Sequence, residues 1–261
     1  MDIASALICD RLKIDDPRHI EVESKKRVLP SDIKPLRKYL FKHKNIEHLK
    51  SATFFDQFLD TAKLDLLKLG ASLRVRYKPN GGHVYLLYKG PGFIEQDILF
   101  RSEFSTKDLS SMLREESRHD IIRFSDTSIK NIMTHHVPVG MRTAMKAHLG
   151  VSVLSRINKG HFISIYQKEK FYVDLGKAFM EPSLDQIYAF HICESGLHPL
   201  SHFHELENEI KSNDQSLSWK LKFIPDMLKF NEKLSKKFHL KPEPLDKYHR
   251  CGSIFLGSKL H

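Results

Sequence analysis

Alternation of polar and apolar residues with a period of two predicts several strands along the chain. The pattern is clearest over 19–25 and 73–78, where charged residues occupy every second position. A Pro-Asn-Gly-Gly sequence joins the second of these runs to a strand over 83–89, as expected for a hairpin. Shorter alternating or apolar runs predict further strands over 53–58, 98–105, 151–158, 161–167, 171–175 and 187–194.

Helical periodicity is limited to a few segments. A helix is predicted over 31–50, where Ser31 can cap the amino terminus, and shorter helices over 61–69 and 107–116. Residues 118–149 fit either helix or strand, residues 201–238 read as helical with a polar interruption, and Pro242 opens an extended tail.

Strands and helices do not alternate regularly, which argues against a doubly wound parallel sheet. The sequence therefore predicts an α+β protein with an antiparallel sheet or barrel and peripheral helices. We expect one domain over 1–261, with a core at about 17–200 and a helical segment at about 201–255 packed on the barrel.

Composition narrows the class of protein. Hydrophobic residues make up 41% of the 261 and charged residues 28%, which is the balance of a globular chain. The first residues do not resemble a signal peptide and no apolar run reaches membrane-spanning length, so a cytoplasmic protein with no membrane association is predicted. Three widely spaced cysteines argue against a disulfide framework or a structural zinc site.

The net charge of +10 favours an anionic partner. Along the sequence the surplus is spread out, and no nucleic-acid-binding motif is present, so nucleic acid is an unlikely partner on this reading. The sequence does not indicate whether the chain has a protein partner. The absence of GxxxxGK[ST] excludes a P-loop nucleotidase, and the absence of HExxH makes the sixteen histidines poor candidates for a metal site.

The charged strands are the feature that points to a function. Glu21, Glu23 and Lys25 share one face of their strand, because residues two apart point the same way. The pairs Arg74 with Arg76 and Arg101 with Glu103 do the same on later strands, and Lys89 ends a neighbouring strand. In any one strand these charges could simply face solvent.

Their accumulation over several strands, in both signs and mostly as arginine, favours an interior position instead. A barrel of about eight strands has room for one small ligand. Burying arginines there is costly unless they are paired or meet a polyanion, and guanidinium groups fit phosphate oxygens. Carboxylates among them can hold a divalent ion that bridges phosphates. The predicted ligand is a metal-bound polyphosphate.

The order of these motifs resembles the CYTH domain, also called the triphosphate tunnel metalloenzyme family. Glu21-Val22-Glu23-Ser24-Lys25 is similar to the ExExK signature of that family. The resemblance continues through Phe54-Phe55-Asp56, Leu73-Arg74-Val75-Arg76, Leu87-Tyr88-Lys89-Gly90-Pro91 and Arg101-Ser102-Glu103, and more weakly to about residue 255.

The resemblance implies a tunnel of eight antiparallel strands and Mg²⁺- or Mn²⁺-dependent chemistry on a small-molecule triphosphate. Glu21, Glu23 and Lys25 would be the catalytic residues. By the same resemblance the triphosphate would be bound by Lys25, Arg74, Arg76, Lys89, Arg101 and Arg156, and the metal by Glu21, Glu23, Glu103, Asp174 and Glu194.

One position departs from the family pattern. The family usually ends its last tunnel strand with two carboxylates, whereas the stretch matched here is Ile192-Cys193-Glu194, with Ile192 in place of one of them. The primary expectation is a metal-dependent hydrolase of inorganic triphosphate, thiamine triphosphate or a nucleoside triphosphate. The alternatives are a class IV-type adenylate cyclase and a catalytically weakened protein that only binds triphosphate or polyphosphate.

Overall fold

The computed structural model describes residues 2–79, 81–113, 122 and 126–258. Its centre is a single antiparallel sheet of long strands with a short ninth strand at one end. The strands are β1 (Ile20–Val28), β2 (Glu47–Asp60), β3 (Ser72–Tyr77), β4 (Tyr85–Glu95), β5 (Ile98–Ser105), β6 (Lys159–Asp174), β7 (Ala178–Cys193), β8 (Gly196–Ser212) and β9 (Lys241–Pro242).

The sheet closes on itself because β1 has two long neighbours. The order runs β5-β4-β3-β2-β6-β7-β8-β1, and β1 also pairs with β5, through Ile20 opposite Ser102. Eight strands therefore form a ring in which every pairing is antiparallel. The predicted α+β class with eight antiparallel strands and outer helices is confirmed.

Helices lie around the ring, and none of those described is long and apolar enough to span a membrane. They are α1 (Ile3–Arg11), α2 (Pro30–Lys42), α3 (Asp65–Lys68), α4 (Ser110–Leu113), α5 (Asp126–His135), α6 (Val139–Leu149), α7 (Val151–Leu154), α8 (Leu217–Lys222), α9 (Ile224–Phe238) and α10 (Lys247–Ser258), with a 3-10 turn at Pro17–His19.

The apolar core lies between the outer face of the ring and these helices rather than inside the ring. On β1, Val22 points outward and is fully buried in this core, while its neighbours Glu21 and Glu23 point inward. On the side of α2 and α9, Leu36 and Leu234 form part of a second apolar cluster. The burial of these outer residues fixes the register, because a shift by one residue would turn the charged set outward.

Several predictions about the elements are wrong. The helix predicted over 31–50 ends at Lys42, because β2 begins at Glu47 with an exposed, polar extension that pairs only with β6. Residues 151–154 form a turn of helix and the strand begins at Lys159. Residues 201–212, predicted to be helical, complete β8, so the sheet extends to Ser212.

Other elements follow the sequence more closely. Helices are found over 217–222 and 224–238, as predicted, while α10 replaces much of the extended tail. The undecided segment 118–149 contains α5 and α6. The predicted helix over 107–116 is found only as Ser110–Leu113, and residues 114–116 lie outside the described part of the chain.

Candidate active site

A cavity of about 460 Å³ lies inside the ring and is lined mainly by charged side chains. Among the described residues that line it, ten are basic and seven are acidic. The basic group is Lys25, Lys50, Arg74, Arg76, Lys89, Arg101, Lys168, Lys170, Lys211 and Lys247, and the acidic group is Glu21, Glu23, Glu103, Glu181, Glu207, Glu209 and Asp246.

Eight of the eleven residues predicted from the sequence line this cavity. They come from four strands, and each reaches the interior because charged residues alternate with outward-facing apolar ones. These eight are Glu21, Glu23, Lys25, Arg74, Arg76, Lys89, Arg101 and Glu103.

The β1 side of the cavity is a network of buried ion pairs. Glu21 accepts hydrogen bonds from Lys89 Nζ at 2.7 Å and from Arg101 Nε at 2.8 Å. Arg101 also donates to Glu23 at 2.5 Å, and Lys25 Nζ lies 3.1 Å from the same carboxylate. Burial would raise the pKa of Glu21, but Lys89 and Arg101 outweigh it and hold that pKa well below the ordinary value.

The β2–β3 side is built around Asp56, which is completely buried. Arg76 donates to both of its carboxylate oxygens, at 2.7 and 2.8 Å, and the Arg74 guanidinium lies 3.2 Å away. Burial opposes ionisation of Asp56, yet Arg74 and Arg76 depress its pKa far below the ordinary range. Asp56 thus holds both arginines in place from behind while their remaining donors stay at the cavity.

Sequence reasoning missed the residues that β6, β7 and β8 contribute. Glu209 faces Glu23 of β1 on one side and Glu181 of β7 on the other. Lys211 lies 3.2 Å from Glu209 and 3.3 Å from Glu181. The signal was present as Glu205-Leu206-Glu207-Asn208-Glu209-Ile210-Lys211, which has the same period of two as the motif on β1. Lys168 and Lys170 alternate likewise on β6.

Three predicted residues are not brought to the cavity. Arg156 is exposed and lies 3.3 Å from Asp65. Asp174 is exposed at the end of β6 and accepts a hydrogen bond from the Gly176 backbone. Glu194 lies in the exposed turn that joins β7 to β8.

The structure also explains the apparent loss of a carboxylate at Ile192. Ile192 sits beside the β7–β8 turn, opposite Leu197, and packs against the apolar core. The strand that places paired carboxylates in the cavity is β8, one strand later, through Glu207 and Glu209. A helical interpretation of residues 201–212 leaves β8 out of the sheet, so the sequence predicts the carboxylates of the last strand on β7.

At the opposite end from Glu181 and Lys211, the start of α10 inserts two charges between the strands. Asp246 lies 3.0 Å from Arg101, and Lys247 lies 3.0 Å from both Asp185 and Glu207 and also contacts Glu205. Asp185, Glu205 and Glu207 hold carboxylate oxygens within 4.8 Å of one another. The Lys247 ammonium already serves as the cation of this group.

Carboxylates on β1 and β8 are further candidates for holding a divalent ion. Glu21, Glu23 and Glu209 offer hard oxygen donors, which Mg²⁺ and Mn²⁺ prefer. Burial raises the pKa of Glu209 to about 7, and although Lys211 opposes the shift, Glu21 and Glu103 add to it. This carboxylate is therefore short of positive charge, and a cation bound there would supply it.

The sequence comparison agrees with this geometry. Residues 19–136 match the family model of the CYTH domain. The resemblance predicted from the sequence is confirmed. The matched region contains all eight of the predicted residues that line the cavity, whereas β6, β7 and β8 lie beyond it.

Several solved structures are similar to this chain at low sequence identity. HpAC1 from Hippeastrum, named as an adenylyl cyclase and described as having a dominant triphosphatase activity, superposes with a TM-score of 0.57. The two are 16% identical over 89% of this chain and 95% of that one. A Bacillus halodurans protein described as an adenylate cyclase gives a TM-score of 0.47 at 16% identity, covering 89% and 97% of the two chains.

The PH1819 protein of Pyrococcus horikoshii OT3 gives a TM-score of 0.46 at 19% identity, covering 88% of this chain and 96% of that one. No curated protein matches the sequence.

Proposed function

We propose that this protein is a divalent-metal-dependent hydrolase of triphosphates. The observation that supports it best is the lining of the ring, where ten basic and seven acidic side chains surround one cavity. A triphosphate bound with a divalent ion would neutralise the surplus of positive charge. The CYTH match and the triphosphatase activity described for HpAC1 point in the same direction.

The cations of the β3 and β6 walls would bind and orient the phosphate groups. Arg74 and Arg76 present donors held by Asp56, and Lys170 and Lys50 lie on the adjoining wall. Their positive charge would stabilise the charge that develops on phosphoryl oxygens in the transition state. Since Arg74, Arg76 and Lys170 are fixed by ion pairs before the substrate enters, these three groups need little reorganisation.

Glu21, Glu23 and Glu209 would hold the metal, with Glu103 beside them. When bound, a divalent ion supplies charge to the phosphate oxygens and lowers the pKa of a coordinated water. Lys25, Lys89 and Arg101 hold the carboxylates of Glu21 and Glu23 in place at the cavity through the contacts described above. The choice between Mg²⁺ and Mn²⁺ and a cytoplasmic location stay predictions.

The test is phosphate release from inorganic triphosphate and from ATP, with Mg²⁺, with Mn²⁺ or with a chelator. Wild-type protein should release orthophosphate only with metal, and Glu23→Gln should lose this turnover while its triphosphate affinity, measured by calorimetry, changes less than about tenfold. Metal-independent release, or an unaffected rate in Glu23→Gln, would contradict the proposal.

The same assay separates the alternatives by product. A cyclase would convert ATP to cyclic AMP and pyrophosphate and release no orthophosphate from inorganic triphosphate. A binding protein would take up triphosphate without turnover. The reason for expecting weakened catalysis was Ile192, and Glu207 and Glu209 remove that reason by placing carboxylates in the cavity.

A further inference from the structure

Most of the net positive charge of this protein falls in two segments that each contain a helix outside the ring. Residues 30–46, which include α2, contain five lysines and arginines against one acidic residue, and residues 224–241, which include α9, contain five against two. These two segments therefore account for seven of the ten excess charges of the chain. The fold therefore brings together two positively charged segments that lie far apart in the sequence.

The two helices lie side by side. Leu36 of α2 and Leu234 of α9 are buried in the same apolar cluster, and the rings of Tyr39 and Phe238 are 5.5 Å apart. Lys237 of α9 lies over the Tyr39 ring at 4.4 Å. The exposed sides of the helices consequently form one surface, which we call the basic face.

Lysines run along the basic face in two rows with helical spacing. Residues four apart on a helix lie on one side, about 6 Å apart along the axis. All six lysines of the rows are exposed, and none forms an ion pair with any residue that the structure describes. The rows are Lys34, Lys38 and Lys42 on α2 and Lys229, Lys233 and Lys237 on α9.

Like charges lie close together at the end of α2. His43 follows α2, and its pKa is lowered by burial and then by Lys233 and Lys237 of α9 and by Lys44, the next residue of the chain. Lysines that lie this close together repel one another. An anionic partner would relieve that repulsion, whereas solvent and salt only screen it.

Exposed aromatic surface adjoins the rows. Phe41, one turn beyond Arg37 on α2, is 42% exposed, and its ring centroid lies 4.7 Å from that of His48. The apolar sides of both helices are turned into the core, so no continuous apolar stripe remains for insertion into a lipid surface. Lysine rows beside an exposed ring are instead suited to a chain that has both phosphates and bases.

We propose that the basic face binds single-stranded nucleic acid, with phosphates along the lysine rows and a base stacked on Phe41. This binding is separate from the cavity inside the ring and does not depend on hydrolysis there. Contacts of lysine with the backbone make it largely independent of base sequence.

The test is fluorescence anisotropy with a short labelled single-stranded RNA that has a 5′-hydroxyl end, so that no triphosphate can enter the cavity. Two triple variants remove the rows: Lys34→Gln, Lys38→Gln with Lys42→Gln, and Lys229→Gln, Lys233→Gln with Lys237→Gln. The matched control removes three exposed lysines elsewhere, by Lys63→Gln, Lys130→Gln and Lys146→Gln. Thermal melting checks that each variant is folded.

We expect wild-type protein to bind the RNA in the micromolar range and each row variant to bind at least about tenfold more weakly. The slope of log affinity against log salt should fall by about 2, because each lost phosphate contact on a single strand contributes roughly 0.7. The control variant should keep the wild-type slope. Phe41→Ala should weaken binding about fivefold or more without changing the slope.

Several results would overturn the proposal. They are absence of RNA binding, an equal loss of affinity and slope in the control variant, and binding to phosphatidylserine vesicles in place of RNA. Long-chain polyphosphate that binds as tightly as RNA, together with a neutral Phe41→Ala, would also overturn it, since stacking then plays no part.

Discussion

At the scale of single residues, the interior of the ring is defined by charged side chains that alternate with buried apolar ones along each strand. Glu21, Glu23 and Lys25 could be placed inside because Val22 between them had to face the core. Arg156 and Glu194 could not be placed correctly, because their positions depended on where later strands begin and on how they pair. A charged residue in a turn and one in a strand look alike when the register is unknown.

Two single substitutions, Glu209→Gln and Glu194→Gln, test which strand completes the proposed metal site. Glu209→Gln removes a charge that faces Glu23 inside the ring, whereas Glu194→Gln removes one from an exposed turn. We expect Glu209→Gln to lower metal-dependent phosphate release by about 10- to 100-fold or more, as for loss of a group that supports a metal. Glu194→Gln should stay within about twofold of wild type.

The measurement is turnover of inorganic triphosphate as a function of Mg²⁺ and Mn²⁺ concentration, with melting curves for both variants. If Glu194→Gln were the impaired variant, the assignment of β8 to the metal site would be wrong. The prediction from the sequence, which assigns Glu194 to the metal, would then be supported.

At the scale of elements, β8 and α10 were the parts least accessible to sequence reasoning. β8 has its charges inward and only a few apolar residues outward, so its overall composition resembles that of an exposed helix. α10 begins at Lys247, directly after Asp246, and the partners of these two residues, Asp185 and Arg101, are far away in sequence. Such a role depends on the closed ring and has no local signal.

Loss of the Lys247 ammonium should destabilise the fold. Asp185, Glu205 and Glu207 surround it in a buried site, and Lys247→Met would leave Lys168 and Lys25 as the ion-pair partners of these carboxylates among the described residues. Removing one partner of a buried ion pair typically costs about 3–5 kcal/mol. Urea unfolding should show this loss, and the exposed Lys63→Met should change stability by less than about 0.5 kcal/mol.

A second substitution checks the cause. If repulsion among the carboxylates is responsible, adding Glu205→Gln to Lys247→Met should restore part of the lost stability at pH 8, above the pKa of about 7 of Glu205, because one buried charge is then removed. Additive destabilisation by the two substitutions would instead point to packing.

At the scale of the whole molecule, closing the sheet exchanges the usual positions of charge and apolar surface. Apolar side chains lie between the ring and the helices, and ionisable groups fill the interior. Stability must therefore depend on protonation more strongly than in a protein with an apolar interior. The groups responsible fall into two sets whose pKa shifts have opposite signs.

Glu205 and Glu209 belong to the first set. Burial raises the pKa of each from 4.5 to about 7, so the folded state keeps a proton that the unfolded state releases. Their contribution to stability is complete below pH 4.5 and is lost as the pH rises towards 7.

Glu21, Glu207 and Asp246 form the second set, with pKa values held well below the ordinary ones by neighbouring cations despite burial. Their contribution is present above the ordinary pKa and is lost in acid.

These opposite signs predict a maximum of stability near pH 5 in the absence of metal. We expect the free energy of unfolding in urea, with a chelator present, to be larger at about pH 5.5 than at pH 8, by roughly 1–3 kcal/mol. Glu205→Gln should reduce this difference because its side chain cannot ionise, whereas the exposed Glu47→Gln should leave it unchanged. Divalent metal should raise stability mainly at pH 8, where Glu209 is ionised and can bind it. A wild-type protein that gains stability steadily from pH 5.5 to 8 would show that the raised carboxylates are paired more fully than their burial indicates.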